Sequence, residues 1–190
     1  MRFFLRLTLL LTTLLNASWA LAVDISVNFT ATIKETTCAM TVSGLNGASL
    51  TGDTGANSYF LDLPDMGVSD VVNKTSLTEA SFKIKPSNCN NYISTLSMTL
   101  SGKVSSYTNT LIGNDQSISG HTNYAGLAIK RMNTDESLRF KLDGSQNVNW
   151  TQDEIINGLD LTAFIRQTSS SNKITPGSFQ AKATIIFTYQ

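Results

Sequence analysis

Any Ser-His-Asp or Cys-His chemistry in this chain has to run through His121, its one histidine. That residue sits in Ser119-Gly120-His121-Thr122-Asn123, a polar stretch with no nucleophile motif around it, whereas a hydrolase needs a nucleophile and an orienting acid aligned on the imidazole. The carboxylate pairs Asp62/Asp65 and Asp153/Glu154 suit solvated loops, or the first turn of a helix, better than general acid-base work. Cys38 and a second cysteine, Cys89, remain, and with a single histidine they are too few for a zinc site. No enzymatic role, metal or cofactor is expected. Three Asn-x-Thr triplets, at Asn28, Asn73 and Asn149, are read as consequences of an Asn- and Thr-rich composition rather than as modification sites.

The thiols gain a meaning from the other end of the chain. Arg2 and Arg6 precede a mainly apolar run from Leu7 to Leu15, and Ala20-Leu21-Ala22 offers a small-x-small cleavage site, the pattern of a secretory leader. The run is too short and too interrupted by threonine to be a comfortable membrane anchor. Residues 1–22 are therefore expected to be removed, with cleavage after Ala20 as the alternative. Export leads to an oxidising compartment, where the even pair Cys38 and Cys89 is expected to form a disulfide. Loss of Arg2 and Arg6 leaves 12 basic residues against 14 acidic ones, a slightly negative chain with nothing to attract nucleic acid. Removing 22 residues from 190 leaves 168, enough for one domain with a sizeable core.

Period-two alternation dominates the elements. Gly177 to Gln190 reads as one long strand, with Phe179, Ala181, Ala183, Ile185, Phe187 and Tyr189 on one face, broken only by Ile186. Val23 onward alternates the same way, with Ile25, Val27, Phe29, Ala31 and Ile33 on one side. Segments at 59–63, 80–84, 93–100, 127–131 and 159–166 have strand composition, divided by Gly, Asn, Asp and Ser clusters. Loops are expected at 43–58 and 168–175, and a turn or short helix near 151–156. Trp150, the one indole outside the leader, reads as a core residue, since a lone aromatic makes a poor sugar platform. The sum is an all-β sandwich. An apolar strand at an unfilled edge would invite pairing with another chain, which proteins normally prevent.

These features in this order resemble the subunits of chaperone-usher pili, the type 1 fimbrial group. The matching residues are the alternating arm leading to Cys38, Asp62-Leu63-Pro64, Phe82-Lys83-Ile84 running toward Cys89, Ala125-Gly126-Leu127-Ala128-Ile129, Leu161-Thr162-Ala163-Phe164-Ile165, and Pro176-Gly177 followed by alternation to Tyr189. A glycine fourteenth from the C-terminus with a penultimate tyrosine, here Gly177 and Tyr189, is the most specific of them.

The resemblance implies an immunoglobulin-like sandwich lacking its final strand. It divides the chain into a leader (1–22), a donor-strand extension running into the first strand (23–36) and a pilin domain (37–190). A periplasmic chaperone would fill the open groove, followed at an outer-membrane usher by the extension of a neighbouring pilin subunit, so that the chain reaches the cell surface in a fimbrium. Ile25, Val27, Phe29, Ala31 and Ile33 would be the donated side chains. The strand from Gly177 through Tyr189 would border the groove. Relatives place glycine where Ala31 stands, so either a roomier pocket takes its methyl group or the register shifts. The 168 residues hold a pilin domain without a lectin domain, which fits a minor or adaptor subunit. A secreted Ig-like adhesin or binding module, using loops such as 109–123, is the alternative, and an exported hydrolase is the remote third.

Overall fold

The computed structural model describes residues 38–53, 58–89 and 93–190. The arm residues Ile25, Val27, Phe29, Ala31 and Ile33, and the leader, lie outside the described residues. Strand β1 (Ala39–Leu45) is followed by a hairpin, β2 (Leu50–Asp53) with β3 (Ser58–Leu61), then helix α1 (Val68–Asn73) and β4 (Glu79–Ser87). Next come β5 (Leu96–Gly102), β6 (Val104–Ser105), β7 (Thr108–Gly113), β8 (Ala125–Arg131) and β9 (Val148–Asn149). Helix α2 (Gln152–Asn157), β10 (Leu159–Gln167) and β11 (Ala183–Tyr189) complete the order.

Two sheets form the sandwich. The larger runs β1-β4-β10-β8-β7-β6 and the smaller β11-β5-β9, with every named pair antiparallel. Their facing sides share one core: Phe82 and Ile84 of β4 and Leu159, Leu161 and Ala163 of β10 meet Leu96, Met98 and Leu100 of β5, with Val148 and Trp150. The expected alternation holds on β4, where Ala80, Phe82 and Ile84 are buried. The intervening Lys83 projects outward to Asp160 at 3.1 Å.

Strand β10 departs from alternation: every residue from Leu161 to Arg166 is buried. Its outer face is covered too. Phe164 packs with Leu111 and Ala128 there, and the Arg166 guanidinium lies 4.6 Å from the Phe164 ring centre. Arg166, 4% exposed, donates to Glu79 at 2.9 Å, to Glu136 at 3.0 Å and to the Thr78 hydroxyl at 2.7 Å. A buried cation persists only with such a full set of acceptors, and removing one partner of a buried pair costs about 3–5 kcal/mol. This cluster gave no sequence signal, because its members are distant along the chain.

The expected helix near 151–156 is present as α2. Thr151 caps it through a reciprocal pair, its hydroxyl accepting from the Glu154 N–H at 3.2 Å while its own N–H donates to Glu154 at 2.8 Å. Asp153 and Glu154 occupy its first turn, where negative charge complements the helix dipole. Helix α1 was not expected from its β-branched sequence, Val-Ser-Asp-Val-Val-Asn. It is held by the Asp70 carboxylate accepting from the Gly67 N–H at 2.9 Å and by Lys74 in the left-handed region, φ 56°.

Three expectations change in extent. The loop expected at 43–58 contains the end of β1 and all of β2, a hairpin too polar for alternation to reveal. The strand expected from Ile93 begins only at Leu96, although the Ser94 and Thr95 N–H groups both bond to the Gln190 carbonyl. Residues 109–123, read as a loop, begin inside β7. The serine-rich loop at 168–175 is a loop, but a tethered one: Gln167 donates to the Ser169 and Asn172 carbonyls, both at 2.6 Å, and Ile174 is buried.

Candidate functional site

The last strand positions the site. In β11, Ala183, Ile185, Phe187 and Tyr189 face inward and Thr184, Ile186 and Thr188 outward, so the alternation read from sequence is the alternation of burial. Ile186, the irregular residue, is 57% exposed. The ladder to β5 runs from Ala183↔Gly102 to Tyr189↔Leu96. On its other side β11 has no partner strand among the described residues. The backbone groups pointing that way form a template for one more strand.

The inward residues of β11 are not buried as a core face should be. Ala183, Ile185, Phe187 and Tyr189 pack against the central cluster yet remain half-buried, as do Met40 and Val42 of β1. The two strands approach at one end, where the Tyr189 hydroxyl donates to the Cys38 carbonyl at 3.3 Å. Burial pushes the Tyr189 phenol above its ordinary pKa, with the bond to Cys38 opposing, so it stays neutral and available as a donor. An apolar strip thus lies between β1 and β11, floored by the sandwich core.

Trp150 forms part of that floor. It is 6% exposed and meets Phe187 edge to face, ring centres 6.1 Å apart at 77°. Its position is set from both sides, by its backbone N–H bonding to the Leu96 carbonyl at 2.9 Å and by α2, which begins two residues later. Arg131 grips that helix through Glu154, at 2.7 and 3.1 Å, and reaches the Asn149 carbonyl at 2.8 Å.

Upstream of β11 the structure corrects the single long strand expected from Gly177. Phe179 and Ala181 keep the inward phase, but residues 177–182 lie outside the β5 ladder. The buried Asn114 amide takes the place of a partner strand: it donates to the Ser178 carbonyl at 2.8 Å and to the Thr122 carbonyl at 2.9 Å, and accepts from the Gln180 N–H at 2.7 Å. The Asp115 N–H adds a bond to the Gln180 carbonyl at 2.8 Å. Phe179 joins a second apolar cluster with Val71, Ala125, Ile165 and Ile174. Gly177 has a steric reason, since a Cβ there would stand 2.4 Å from the Gly120 carbonyl oxygen and 2.7 Å from the Thr122 nitrogen.

Cys38 and Cys89 are bonded to each other, tying the start of β1 to the region just past β4. His121 is part of the backbone bridge to Ser178, and its Nδ1 faces the Ile118 carbonyl at 3.1 Å. Asp62 accepts from the Ser49 hydroxyl at 3.1 Å, Asp153 from the Asn157 amide at 2.6 Å. Among the described residues, no cluster of His, Cys, Asp or Glu could hold a metal, and no helix is long and apolar enough to cross a membrane. Sequence reasoning missed Met40, Val42 and Asn114. The first two do alternate after Cys38, but Ser43 and Gly44 cut that signal short, and a lone asparagine carries none.

A two-sheet sandwich of immunoglobulin type, open along one edge over an apolar strip, is the architecture of a pilus subunit. The crystal structure of the P pilus rod subunit PapA shares this fold, with a TM-score of 0.52 at 18% identity over 87% of this chain and 100% of that one. The family model described as fimbrial protein matches residues 27–190, and the chain belongs to that family. It is also 37% identical over 188 residues to YadM, a fimbrial-like protein of Escherichia coli (strain K12), a match spanning 97% of this chain and 96% of that protein. The protein is a subunit of a chaperone-usher fimbria, a surface organelle in which it assembles with other pilins.

Proposed function

We propose that this subunit is a structural link that polymerises by donor-strand complementation, receiving a strand along β11 and donating residues 23–36. The observation that carries the reading is the half-buried inward face of β11, Ala183, Ile185, Phe187 and Tyr189, beside an edge with no strand partner among the described residues. A folded core does not leave that much apolar surface half-covered without a use. A strand added there gains main-chain hydrogen bonds from the edge and burial from alternate side chains.

The arm has the right form for the donor. Ile25, Val27, Phe29, Ala31 and Ile33 present five apolar positions at period two, and the eleven residues from Val23 to Ile33 extend about 36 Å at roughly 3.3 Å each, against about 23 Å for β11. Burying four large apolar side chains contributes about 1.5–3 kcal/mol each before ordering costs. A periplasmic chaperone first lends the missing strand, an outer-membrane usher exchanges it for the arm of the next subunit, and residues 1–22 direct export. A link with both a groove and an arm joins neighbours on both sides and extends an adhesive fibre without catalysis. Deleting Val23 to Phe29 should leave chaperone capture intact and stop the subunit from capping its neighbour, read as loss of polymer in sheared fimbriae. Normal incorporation of the truncated subunit would overturn the donor assignment.

A further inference from the structure

A second feature of the surface belongs to neither strand exchange nor the core. Between the β6–β7 hairpin and the connection from β7 to β8 lies a cleft of about 250 Å³, bordered by Lys103, Ser106, Tyr107, Gln116, Asn123 and Tyr124. Tyr107 and Tyr124 are 55% and 36% exposed, with ring centres 6.2 Å apart and planes tilted by 56°. Aromatic rings that could have been buried are here held side by side in solvent.

Tyr124 is held at a cost, and Tyr107 by a side-chain bond. Tyr124 has φ 59°, a left-handed conformation that bulky side chains rarely adopt and that is retained where its surroundings impose it. The imposing contacts are its own carbonyl, which accepts from the Thr168 N–H at 2.8 Å, and the preceding Asn123 N–H, which donates to the Thr175 hydroxyl at 2.8 Å. Tyr107 is steadied by the Asn172 amide, which donates to its hydroxyl at 3.2 Å. Gly or Asn would relieve the backbone at position 124 without disturbing these bonds. The ring is what tyrosine adds.

We infer that this cleft is a carbohydrate subsite that takes a single pyranose residue of a surface glycan. A pyranose has an apolar C–H face and an equatorial rim of hydroxyls, so its receptor needs an exposed aromatic plate flanked by amides, hydroxyls or an ammonium group. Tyr124 and Tyr107 supply the plates. The Gln116 and Asn123 amides, the Ser106 hydroxyl and the Lys103 ammonium supply the rim, and no carboxylate lines the cleft. The volume falls below the 300–1,000 Å³ typical of pockets for larger ligands, and suits one ring rather than an oligosaccharide.

The test uses the full chain, isolated with the chaperone or neighbouring subunit that fills its groove, and a panel of methyl glycosides of glucose, galactose, mannose and N-acetylglucosamine. Saturation-transfer NMR should detect ring C–H protons of at least one glycoside. Tyr107→Ala and Tyr124→Gly should each weaken that binding at least tenfold, the second without backbone strain. Phe60→Ala, at an exposed aromatic residue in β3, should leave it unchanged. No transfer to any glycoside at millimolar concentration would overturn the subsite. So would transfer that persists in both tyrosine variants, or a cleft occupied by a neighbouring subunit in the assembled fibre.

Discussion

At the scale of single residues, the groove depends on polar groups that never touch it. Glu154 caps α2 and binds Arg131, and through that helix the floor residue Trp150 is set beneath Phe187. Burial alone would raise the Glu154 pKa, but the Arg131 guanidinium and the Thr151 N–H outweigh it and hold the carboxyl below its ordinary value. The stability contributed by this carboxylate is therefore complete above the unfolded glutamate pKa of about 4.3, and is lost as pH falls through the lower folded value. Glu154→Gln should lower the melting temperature of the groove-filled chain at pH 7 and flatten its decline below about pH 4, measured by circular dichroism across pH. A parallel shift of the whole acid profile would show that Glu154 is not the titrating group. Gly177 acts by what it lacks, because the backbone at 120–122 occupies the space of a side chain.

At the scale of elements, β11 carries the receiving half of the proposed joint. Its inward face combines with Met40 and Val42 of β1 into one strip, whereas residues 177–182 are diverted to the Asn114 side chain and leave the ladder early. The proposed receiving register is thus centred on Ala183–Tyr189 rather than on the full fourteen residues from Gly177. Phe187→Glu should abolish co-purification with the chaperone, since a charge would replace the ring against Trp150. Thr188→Glu, on the outward face, should leave capture near normal. Equal yields from the two variants would count against β11 as the receiving strand. Strand β10, by contrast, is buried on both faces from Leu161 to Arg166 and packs into the core that floors the strip.

At the scale of the molecule, the proposed strand exchange requires that the chain stay a monomer only while something covers the outer edge of β11. The Cys38–Cys89 bond constrains the unfolded chain by about 4 kcal/mol for a separation of 51 residues, yet no strand covers the outer edge of β11 among the described residues. Appending a second copy of residues 23–36 after Gln190 through a flexible linker should convert an aggregating chain into a monomer with a raised melting temperature. Sizing chromatography and a thermal melt read both effects. Continued aggregation of that variant would mean that the arm does not fit its own groove, with Ala31 the first position to examine.

Much of this was legible in the chain because strand chemistry is local. Alternation from Phe179 to Tyr189 anticipates which residues face inward, and Asp153 and Glu154, suited to the first turn of a helix, anticipate α2, since each depends on neighbours a few residues apart. The pairing of Cys38 with Cys89 followed from export and an even count. The arm at 23–33 is also a sequence reading, and it stays one because it lies outside the described residues. Only the tertiary structure decided that the inward face of β11 is half-covered, because burial depends on which strands stand on either side, and period two is the same for a central strand and an edge. It likewise decided that Asn114 ends the ladder at Ala183, that Arg166 is buried among carboxylates, and that two tyrosines 17 positions apart share a cleft. Those are contacts between distant parts of the chain, which periodicity does not encode.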